Sequence, residues 1–505
     1  MNFRPMLCAL VVCSLATYLS PAEPLSAAEP LAAGVAKIEI TDPQAARIHD
    51  PCFAKALVLR QGPLKLALIT VDAVAIGEIG HLRNTFLANV RRELAKEPGI
   101  PGENVIVNAS HCHGAVRADS DQLAIEAVRA AWKNLVRVKV GVGSASENRI
   151  SENRRIRLKD ASQADMRRAY ALPRDELVAA LGPIDPRVGL VRLDRADDGR
   201  PLAALYHFAC HPIMNPPSKG SSADFPGYAS RAIEAGLGDG AMAFFLQGCG
   251  GDINPVQYKE TSRPADAEPL GNLLGLTALR GLQAIEPKDN AALAISQRIV
   301  ALPRAADYRQ RIAAIEAEQA RLLLSLKGTN LNFKAFLPLY IQQRVSPEFP
   351  SAHAQAYLHE KAQGRDHLAR HDADQKAQVE AYLANLQTME QLTRLNANLA
   401  LLKMHLAQTE KSAAKTLDVE ICLLRLGDFE LITFPGELTV EVGLGLQKAA
   451  NRPHLYVSGY TNGYIYYTPT IEQRTNTGYA QEDCDTLVAL EWQRVFETTA
   501  LEMLR

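Results

Sequence analysis

Apolar segments of strand length that end abruptly in polar residues recur along this chain and constrain its fold more than any other feature. They are followed by histidines, by a glycine-rich loop or by a carboxylate, namely His111 and His113, His211, Gly248–Gly251 and Glu437. Amphipathic stretches with helical spacing, such as Ile79–Lys96, lie between them, and a terminal helix is expected from about Cys484 to Leu504. Strands mixed with helices predict an α/β (mixed α+β) fold. In such folds functional side chains gather where strands end.

Residues 305–415 follow a different pattern. Apolar residues step by three or four from Val379 to Leu406, which predicts a long helix with a coiled-coil-like seam. We expect an antiparallel helical hairpin around an irregular segment at Phe333–Phe349. Plain core packing explains the apolar stripe without a cofactor. The predicted organisation is therefore one large catalytic domain, formed by residues 29–304 and 416–505, with a helical insertion at 305–415.

The first 28 residues have the pattern of a secretory signal peptide. Arg4 supplies a positive charge, Leu7–Leu19 is apolar but too short to span a bilayer comfortably, and Ser26–Ala28 offers small residues for cleavage. We therefore predict a cleaved signal and a secreted or periplasmic protein that begins near Glu29. Export permits disulfides, but the pairing of the remaining cysteines cannot be read from sequence.

The charge balance argues against a nucleic-acid partner. Lys and Arg number 55 and Asp and Glu number 56, which gives a formal net charge of −1. The sequence shows no basic stripe that could follow a phosphate backbone. We predict a small-molecule or lipid substrate and no nucleic-acid partner, and the sequence leaves the oligomeric state open.

Histidines and a carboxylate at strand ends are candidate metal ligands. Two histidines, a carboxylate and an open position would form a catalytic zinc site, and His111, His211 and Glu437 offer these groups. His113 lies at i+2 from His111, so both would point to the same side of an extended backbone. The candidates are more than 300 residues apart. Spacing alone therefore leaves both metal binding and a structural role at strand ends open.

The Gly248–Gly251 loop has three glycines in four positions, which predicts a tight loop where the backbone closely approaches another group. A plain turn capped by Asp252 is the alternative. No Gly-Lys-Ser/Thr follows, so the sequence does not indicate a phosphate-binding loop.

Six motifs in the same order resemble the neutral, non-lysosomal ceramidases, zinc amidases that split ceramide into sphingosine and fatty acid. The resemblance covers roughly residues 34–299 and 417–496. The motifs are Ser110–His113, Glu152–Arg154, Phe208–Pro212 followed by Pro226–Ser230, Phe434–Glu437, the tyrosine block Asn462–Tyr467, and Tyr479.

The resemblance implies a zinc ion and a role for each matched residue. Zinc would be held by His111, His211, Glu437 and Tyr467. The resemblance places His113, Arg154 and Tyr479 around the substrate carbonyl. We also predict Asn254 as a catalytic residue and Gly251, Asp252, Asn462 and Tyr464 as substrate-binding residues.

The chemistry suits these residue types. Zinc lowers the pKa of a bound water from ~15.7 to roughly 7 and so activates it at neutral pH. Tyr467, with an ordinary pKa of ~10, would ligate as a phenolate only with the metal's help. Arg154 or Tyr479 would stabilise the oxyanion, and His113 would protonate the leaving amine.

Three departures from the family pattern are visible. Asn254, in Gly251–Pro255, stands where the family has a serine usually assigned as the nucleophile, and an amide nitrogen cannot form an acyl-enzyme. A route through zinc-activated water survives this change, with Asn254 donating a hydrogen bond. The family's C-terminal immunoglobulin-like domain is not found after the tyrosine block, and the insertion at 305–415 has no counterpart.

The sequence therefore predicts a secreted zinc-dependent hydrolase of an amide bond, acting on N-acylsphingosine or a related lipid amide. Peripheral contact with a membrane or lipid is compatible with such a substrate. Two alternatives stay open: a non-catalytic, zinc-containing binding protein, favoured by Asn254, and an esterase or other acyl hydrolase acting on a non-lipid substrate.

Overall fold

The computed structural model describes residues 29–165, 172–215, 220–256, 258, 265–289, 291–412 and 414–505. The predicted signal peptide lies outside the described residues, so its cleavage and the export of the protein remain predictions.

Strands and helices alternate along most of the described chain. The strands are β1 (Ala32–Glu39), β2 (Arg47–Ile48), β3 (Phe53–Gln61), β4 (Leu64–Val71), β5 (Val105–Ala109), β6 (Val136–Ser146), β7 (Ser151–Asn153), β8 (Arg155–Leu158), β9 (Gln163–Asp165), β10 (Val178–Leu181), β11 (Arg187–Arg195), β12 (Pro201–Phe208), β13 (Gly220–Ser221), β14 (Met242–Gln247), β15 (Ile253–Pro255), β16 (Leu293–Pro303), β17 (Thr416–Leu426), β18 (Phe429–Thr433), β19 (Glu437–Leu438), β20 (Leu455–Ser458) and β21 (Tyr467–Thr468). The helices are α1 (Phe86–Lys96), α2 (Ser120–Lys133), α3 (Asp224–Leu237), α4 (Glu268–Gln283), α5 (Tyr308–Ser325), α6 (Phe333–Val345), α7 (Ala354–Ala362), α8 (His367–Lys411), α9 (Val440–Ala450), α10 (Ile471–Arg474) and α11 (Trp492–Leu504).

The larger sheet has eight strands in the order β14-β12-β11-β6-β1-β3-β4-β5. Its two end pairs, β14 with β12 and β5 with β4, are parallel, and its other pairs are antiparallel. Both faces of the sheet are covered, so its side chains alternate between two cores. On β4, Ala67, Ile69 and Val71 face one core, and Leu66 and Leu68 face the other.

A second sheet, in the order β16-β17-β18-β20, packs on the Leu66 and Leu68 side of the first. Cys422 and Leu424 of β17 face this shared core, whereas Ile421 faces α9 and α11. Helices α1 and α2 cover one half of the outer face of the first sheet, and α3 and α4 cover the other half. The result is a four-layer arrangement of helices, two sheets and helices, which confirms the predicted mixed α/β fold.

The 305–415 region is helical, and α5, α6 and α7 all pack against α8. The 45-residue α8 agrees with the long helix expected from the Val379–Leu406 spacing. The expectation of an irregular Phe333–Phe349 segment is wrong, because α6 spans Phe333–Val345 and includes Pro338. Phe336 stacks on Tyr382 of α8, and this tertiary contact favours helix where local sequence did not. The division into domains stays a prediction.

Two helix starts also differ from the sequence-based expectation. The helix expected from Ile79 begins only at Phe86, and the C-terminal helix expected from about Cys484 begins at Trp492. The residues just before both helices lie in loops, although they were expected to be helical. Helix ends are the positions that a sequence pattern defines least well.

Among the described residues, no helix combines the length and the apolarity needed to cross a membrane.

Candidate metal centre

Asn108, at the end of β5, joins three strand ends that carry the predicted site residues. Its Oδ1 accepts from the backbone N–H of Gln247 on β14 at 2.9 Å. Its Nδ2 donates to the carbonyl of Gly459 at 3.0 Å and to Thr461 Oγ1 at 2.8 Å, just after β20. This buried amide therefore holds the segment that leads to His111 against the glycine-rich loop and the tyrosine block.

His111, His211 and Glu437 converge in the interior, where each side chain is at most 3% exposed. One ligand atom from each residue lies within 4.8 Å of the other two. Glu437 Oε2 is 3.4 Å from His111 Nε2 and 3.2 Å from His211 Nε2. Ligands about 2.0–2.1 Å from a tetrahedral zinc would be about 3.3 Å apart, so these separations suit such an ion.

Backbone carbonyls fix the tautomer of both histidines. His111 Nδ1 lies 2.6 Å from the Val74 carbonyl, and His211 Nδ1 lies 2.5 Å from the Gly250 carbonyl. A carbonyl only accepts, so each Nδ1 must carry the proton and each neutral Nε2 presents a lone pair. Two lone pairs therefore face a carboxylate oxygen, an arrangement that a cation between them would stabilise. A hydrogen bond from the other ring nitrogen to a backbone carbonyl is a usual way in which proteins orient histidine ligands.

The charge states agree with this reading. Burial lowers the pKa of both His111 and His211 to about 4, so both rings are neutral at pH 7. Burial alone would raise the pKa of Glu437, but His111, His211 and the Tyr464 hydroxyl hold it well below its usual range. Among the described residues, no hydrogen-bond partner reaches His111 Nε2. The group thus has the donor atoms, the charge and the orientation that a divalent metal requires.

Two tyrosines hold the Glu437 carboxylate. The Tyr464 hydroxyl donates to Oε1 through a short hydrogen bond, and the Tyr460 hydroxyl donates to Oε2 at 3.3 Å. The Tyr460 ring also lies 4.2 Å from the His111 ring, centroid to centroid. Tyr460 was not predicted from the sequence, although its place in the Gly459–Tyr467 segment was a usable signal.

Tyr467 and His113 border the three-residue group. Tyr467 pairs with Glu437 in the parallel β19–β21 bridge, and its ring stacks on His211 with a centroid distance of 6.5 Å. The His113 and His111 rings are 5.0 Å apart. The structure thus brings both predicted residues to the site, and ligation by Tyr467 stays a prediction.

Arg154 is buried beside Tyr467 and is held by three acceptors. Its Nε donates to Glu482 at 2.7 Å, one terminal nitrogen donates to Asn254 Oδ1 at 3.2 Å, and the other donates to the Gly251 carbonyl. Its Cζ lies 5.5 Å from the Tyr467 ring centroid. The sequence analysis did not predict a role for Glu482. Buried arginines such as Arg154 and Arg155 need carboxylate partners, and this need was a usable signal.

Asn254 presents its amide N–H group near this cluster. Because Oδ1 accepts from Arg154, Nδ2 points away from the guanidinium. Within the described part of the chain, the buried Nδ2 has no hydrogen-bond partner. An unpaired buried donor is costly, and a ligand that accepts from it would relieve that cost.

The glycine-rich loop packs closely against the backbone of Glu437 and Leu438, as its composition predicted. A Cβ on Gly251 would lie 2.7 Å from the Glu437 carbonyl oxygen and 2.8 Å from that of Leu438. Asp252 accepts from the backbone N–H of Val440 at 2.8 Å, at the start of α9. Burial raises the pKa of Asp252 to about 6. The two residues thus fix the position of β19 and α9, and substrate binding by them stays a prediction.

Gly251→Ala is expected to lower zinc affinity by about 10–100-fold, because the new methyl group must displace the backbone of Glu437. The measurement is a zinc competition titration. Gly445→Ala on α9 is the control, since its Cβ would meet nothing within 4 Å and alanine favours helix by about 0.5–1 kcal/mol. Equal zinc affinity in both variants would contradict the expectation.

The remaining predicted residues lie on two cavities. Asn462 and Tyr464 line one of about 380 Å³, and Asn462 also pairs with Val107 N–H and with Glu420. Tyr479 lines another of about 420 Å³, between its own loop and helices α5 and α8. There the Arg394 Cζ lies 4.0 Å from the Tyr479 ring centroid. The insertion thus borders Tyr479, which the sequence did not indicate.

Comparisons with known proteins place this fold. No protein-family model matches the sequence, and no curated protein matches it. Among the solved structures that match in fold are two ceramidases. A ceramidase complexed with C2 is 16% identical with a TM-score of 0.59, over 94% of this chain and 75% of that one. Neutral ceramidase from Pseudomonas aeruginosa is 17% identical with a TM-score of 0.57, over 94% of this chain and 74% of that one. The chain therefore has the fold of the neutral ceramidases.

Proposed function

We propose that the protein is a secreted, zinc-dependent hydrolase that cleaves the amide bond of N-acylsphingosine or of a related lipid amide. The observation that carries the proposal is the meeting of two neutral Nε2 atoms with the Glu437 carboxylate, at 3.4 and 3.2 Å. Zinc bound there would supply Lewis acidity and would activate water at neutral pH. The shared fold with ceramidases supports a lipid amide as the substrate.

The residues around His111, His211 and Glu437 can orient the ligands, stabilise the oxyanion and supply a proton. The Val74 and Gly250 carbonyls and the tyrosine hydroxyls keep the ligands in one orientation. Arg154 places a positive charge beside the centre, where it would stabilise a developing oxyanion. His113, which is partly exposed, would protonate the leaving amine.

Asn254→Ala is expected to reduce turnover by about 10²-fold without changing zinc content. The Nδ2 donor of Asn254 would hydrogen-bond the reacting carbonyl, and loss of one such donor costs about 10²–10³-fold. The measurement is steady-state kinetics together with metal analysis. Unchanged turnover in Asn254→Ala would remove Asn254 from the reaction.

The proposal is tested by metal analysis of the purified protein followed by a panel of N-acylsphingosines, other N-acyl amides and acyl esters. We expect about one zinc per chain, with amide cleavage that is lost on chelation and restored by zinc. No zinc in a well-folded protein after supplementation would overturn the proposal. Cleavage of esters alone would instead support an esterase.

Asn254 favours one rival, a non-catalytic protein that keeps zinc for structure or ligand binding. Asn254 has no nucleophilic atom, and it stands at the position where the neutral ceramidases that the sequence resembles have a serine. That rival predicts bound zinc, a melting temperature that falls on chelation, and no turnover of any member of the panel.

A further inference from the structure

Helix α6 is apolar on two sides, but only one side is covered. Phe336 is 5% exposed and stacks on Tyr382 of α8, with ring centroids 4.5 Å apart. A second set of large apolar side chains is exposed: Phe333 by 62%, Leu337 by 42%, Ile341 by 50% and Val345 by 79%. A helix of a globular protein normally turns its apolar side to the core and a polar side to solvent, so the exposed apolar side of α6 is unusual.

The exposed residues form one continuous surface. Phe333, Leu337, Ile341 and Val345 follow at steps of four, so they lie along one side of the helix. At about 100° per residue, Lys334 and Arg344 fall within the same arc. We call these six residues the α6 face.

Exposed apolar residues also precede the α6 face. Leu324, near the end of α5, is 88% exposed, and Leu323 beside it is 57% exposed. Of the nineteen exposed large hydrophobic side chains in the described residues, seven fall between Leu323 and Val345. This concentration of exposed apolar side chains in one stretch of the insertion indicates a contact site.

The charge of this stretch differs from that of the whole chain. Between Glu318 and Glu348 the sequence has no acidic residue and four basic residues. Arg321 pairs with Glu318, and Lys327, Lys334 and Arg344 follow it. The complete chain has a formal net charge of −1. The basic excess is therefore local, and it coincides with the exposed apolar side chains.

These charges decide between two kinds of partner. A symmetric contact between two copies through the α6 face would bring Lys334 and Arg344 of each copy towards those of the other, with no acidic residue nearby in the stretch. An anionic lipid surface accepts both features, because apolar side chains enter the headgroup boundary while lysine and arginine reach the phosphates.

We propose that the α6 face docks the protein peripherally on anionic lipid surfaces. The aliphatic and aromatic side chains supply the apolar contact, and Lys334 and Arg344 supply the preference for negative headgroups. The docking does not depend on zinc or on hydrolysis. It can therefore be tested whether or not the protein is an amidase.

The test is co-sedimentation of the purified full protein with vesicles of phosphatidylcholine, with and without phosphatidylglycerol, at low and high salt. Wild type is expected to bind the anionic vesicles, more weakly at high salt. Leu337→Glu with Ile341→Glu should weaken binding at least about tenfold, and Lys334→Gln with Arg344→Gln should remove the preference for phosphatidylglycerol.

The control is Leu181→Glu with Leu276→Glu, which adds the same charge outside the α6 face. Leu181 on β10 is 60% exposed and Leu276 on α4 is 59% exposed, so both are on the surface, as Leu337 and Ile341 are. Circular dichroism and thermal unfolding check that each variant is folded. Retained binding in this control supports the proposal. Failure of wild type to bind, equal loss in the control, or equal binding to neutral vesicles would overturn it. So would a wild-type dimer that Leu337→Glu with Ile341→Glu dissociates and that does not bind vesicles.

Discussion

His211→Ala is expected to lower zinc affinity by more than about 100-fold and to bring amide hydrolysis below detection. Loss of a group that only orients a ligand already costs about 10–100-fold, and this substitution removes a ligand itself. It leaves His111 Nε2 and the Glu437 carboxylate as the two remaining ligand atoms of the described histidine–carboxylate group. Zinc content by atomic spectroscopy and turnover of an N-acylsphingosine are the measurements.

His207→Ala provides a matched control four residues upstream. His207 is 2% exposed, as is His211, and its Nε2 bonds the Val457 carbonyl at 3.0 Å. Burial lowers its pKa to about 4, as it does for His211. The control should lose stability and keep zinc. Stoichiometric zinc in His211→Ala would show that the site lies elsewhere.

Glu482→Ala is expected to destabilise the protein by about 3–5 kcal/mol, because it removes the carboxylate that bonds the buried Arg154 at 2.7 Å. Glu482 is fully buried and Arg154 is 1% exposed, so water cannot replace the lost partner. Turnover should fall as well, since the position of Arg154 beside Tyr467 depends on this contact. Denaturant-induced unfolding gives the free-energy change.

The control is the exposed pair of Arg298 and Glu502, whose nitrogen–oxygen distance is also 2.7 Å. Glu502→Ala should cost less than about 1 kcal/mol, because solvent screens the pair. Arg154→Met combined with Glu482→Leu should recover part of the stability lost in Glu482→Ala while turnover stays low. A Glu482→Ala protein as stable as Glu502→Ala would show that Arg154 does not need this carboxylate.

Local sequence was sufficient to predict the elements that carry the site. The apolar runs before His111, His211 and Glu437 are strands in the structure, and the stepped leucines lie in α8. These patterns are reliable because side chains alternate with a period of two in strands and of about 3.6 in helices. The glycine loop was also correctly interpreted, since Gly251 does approach a neighbouring backbone closely.

Residue pairs that are distant in sequence escaped prediction. The partnership of Arg154 with Glu482 spans 328 positions, and Asn108 and Thr461 meet across 353 positions. Two further contacts were not predicted. The Tyr460 hydroxyl donates to Glu437, and Arg394 of the insertion lies over the Tyr479 ring. Periodicity records which side of an element is apolar but says nothing of which element lies opposite.

The sequence by itself determined the mixed α/β class, the polar residues at the strand ends and the long helix of the insertion, because each depends on the alternation of neighbouring side chains. Only the tertiary structure decided that His111, His211 and Glu437 share one buried point and that the Val74 and Gly250 carbonyls orient both rings. It also decided that one side of α6 is covered by α8 and the other is exposed. These facts depend on sheet order, strand register and helix packing, which are set by contacts between residues far apart in the chain.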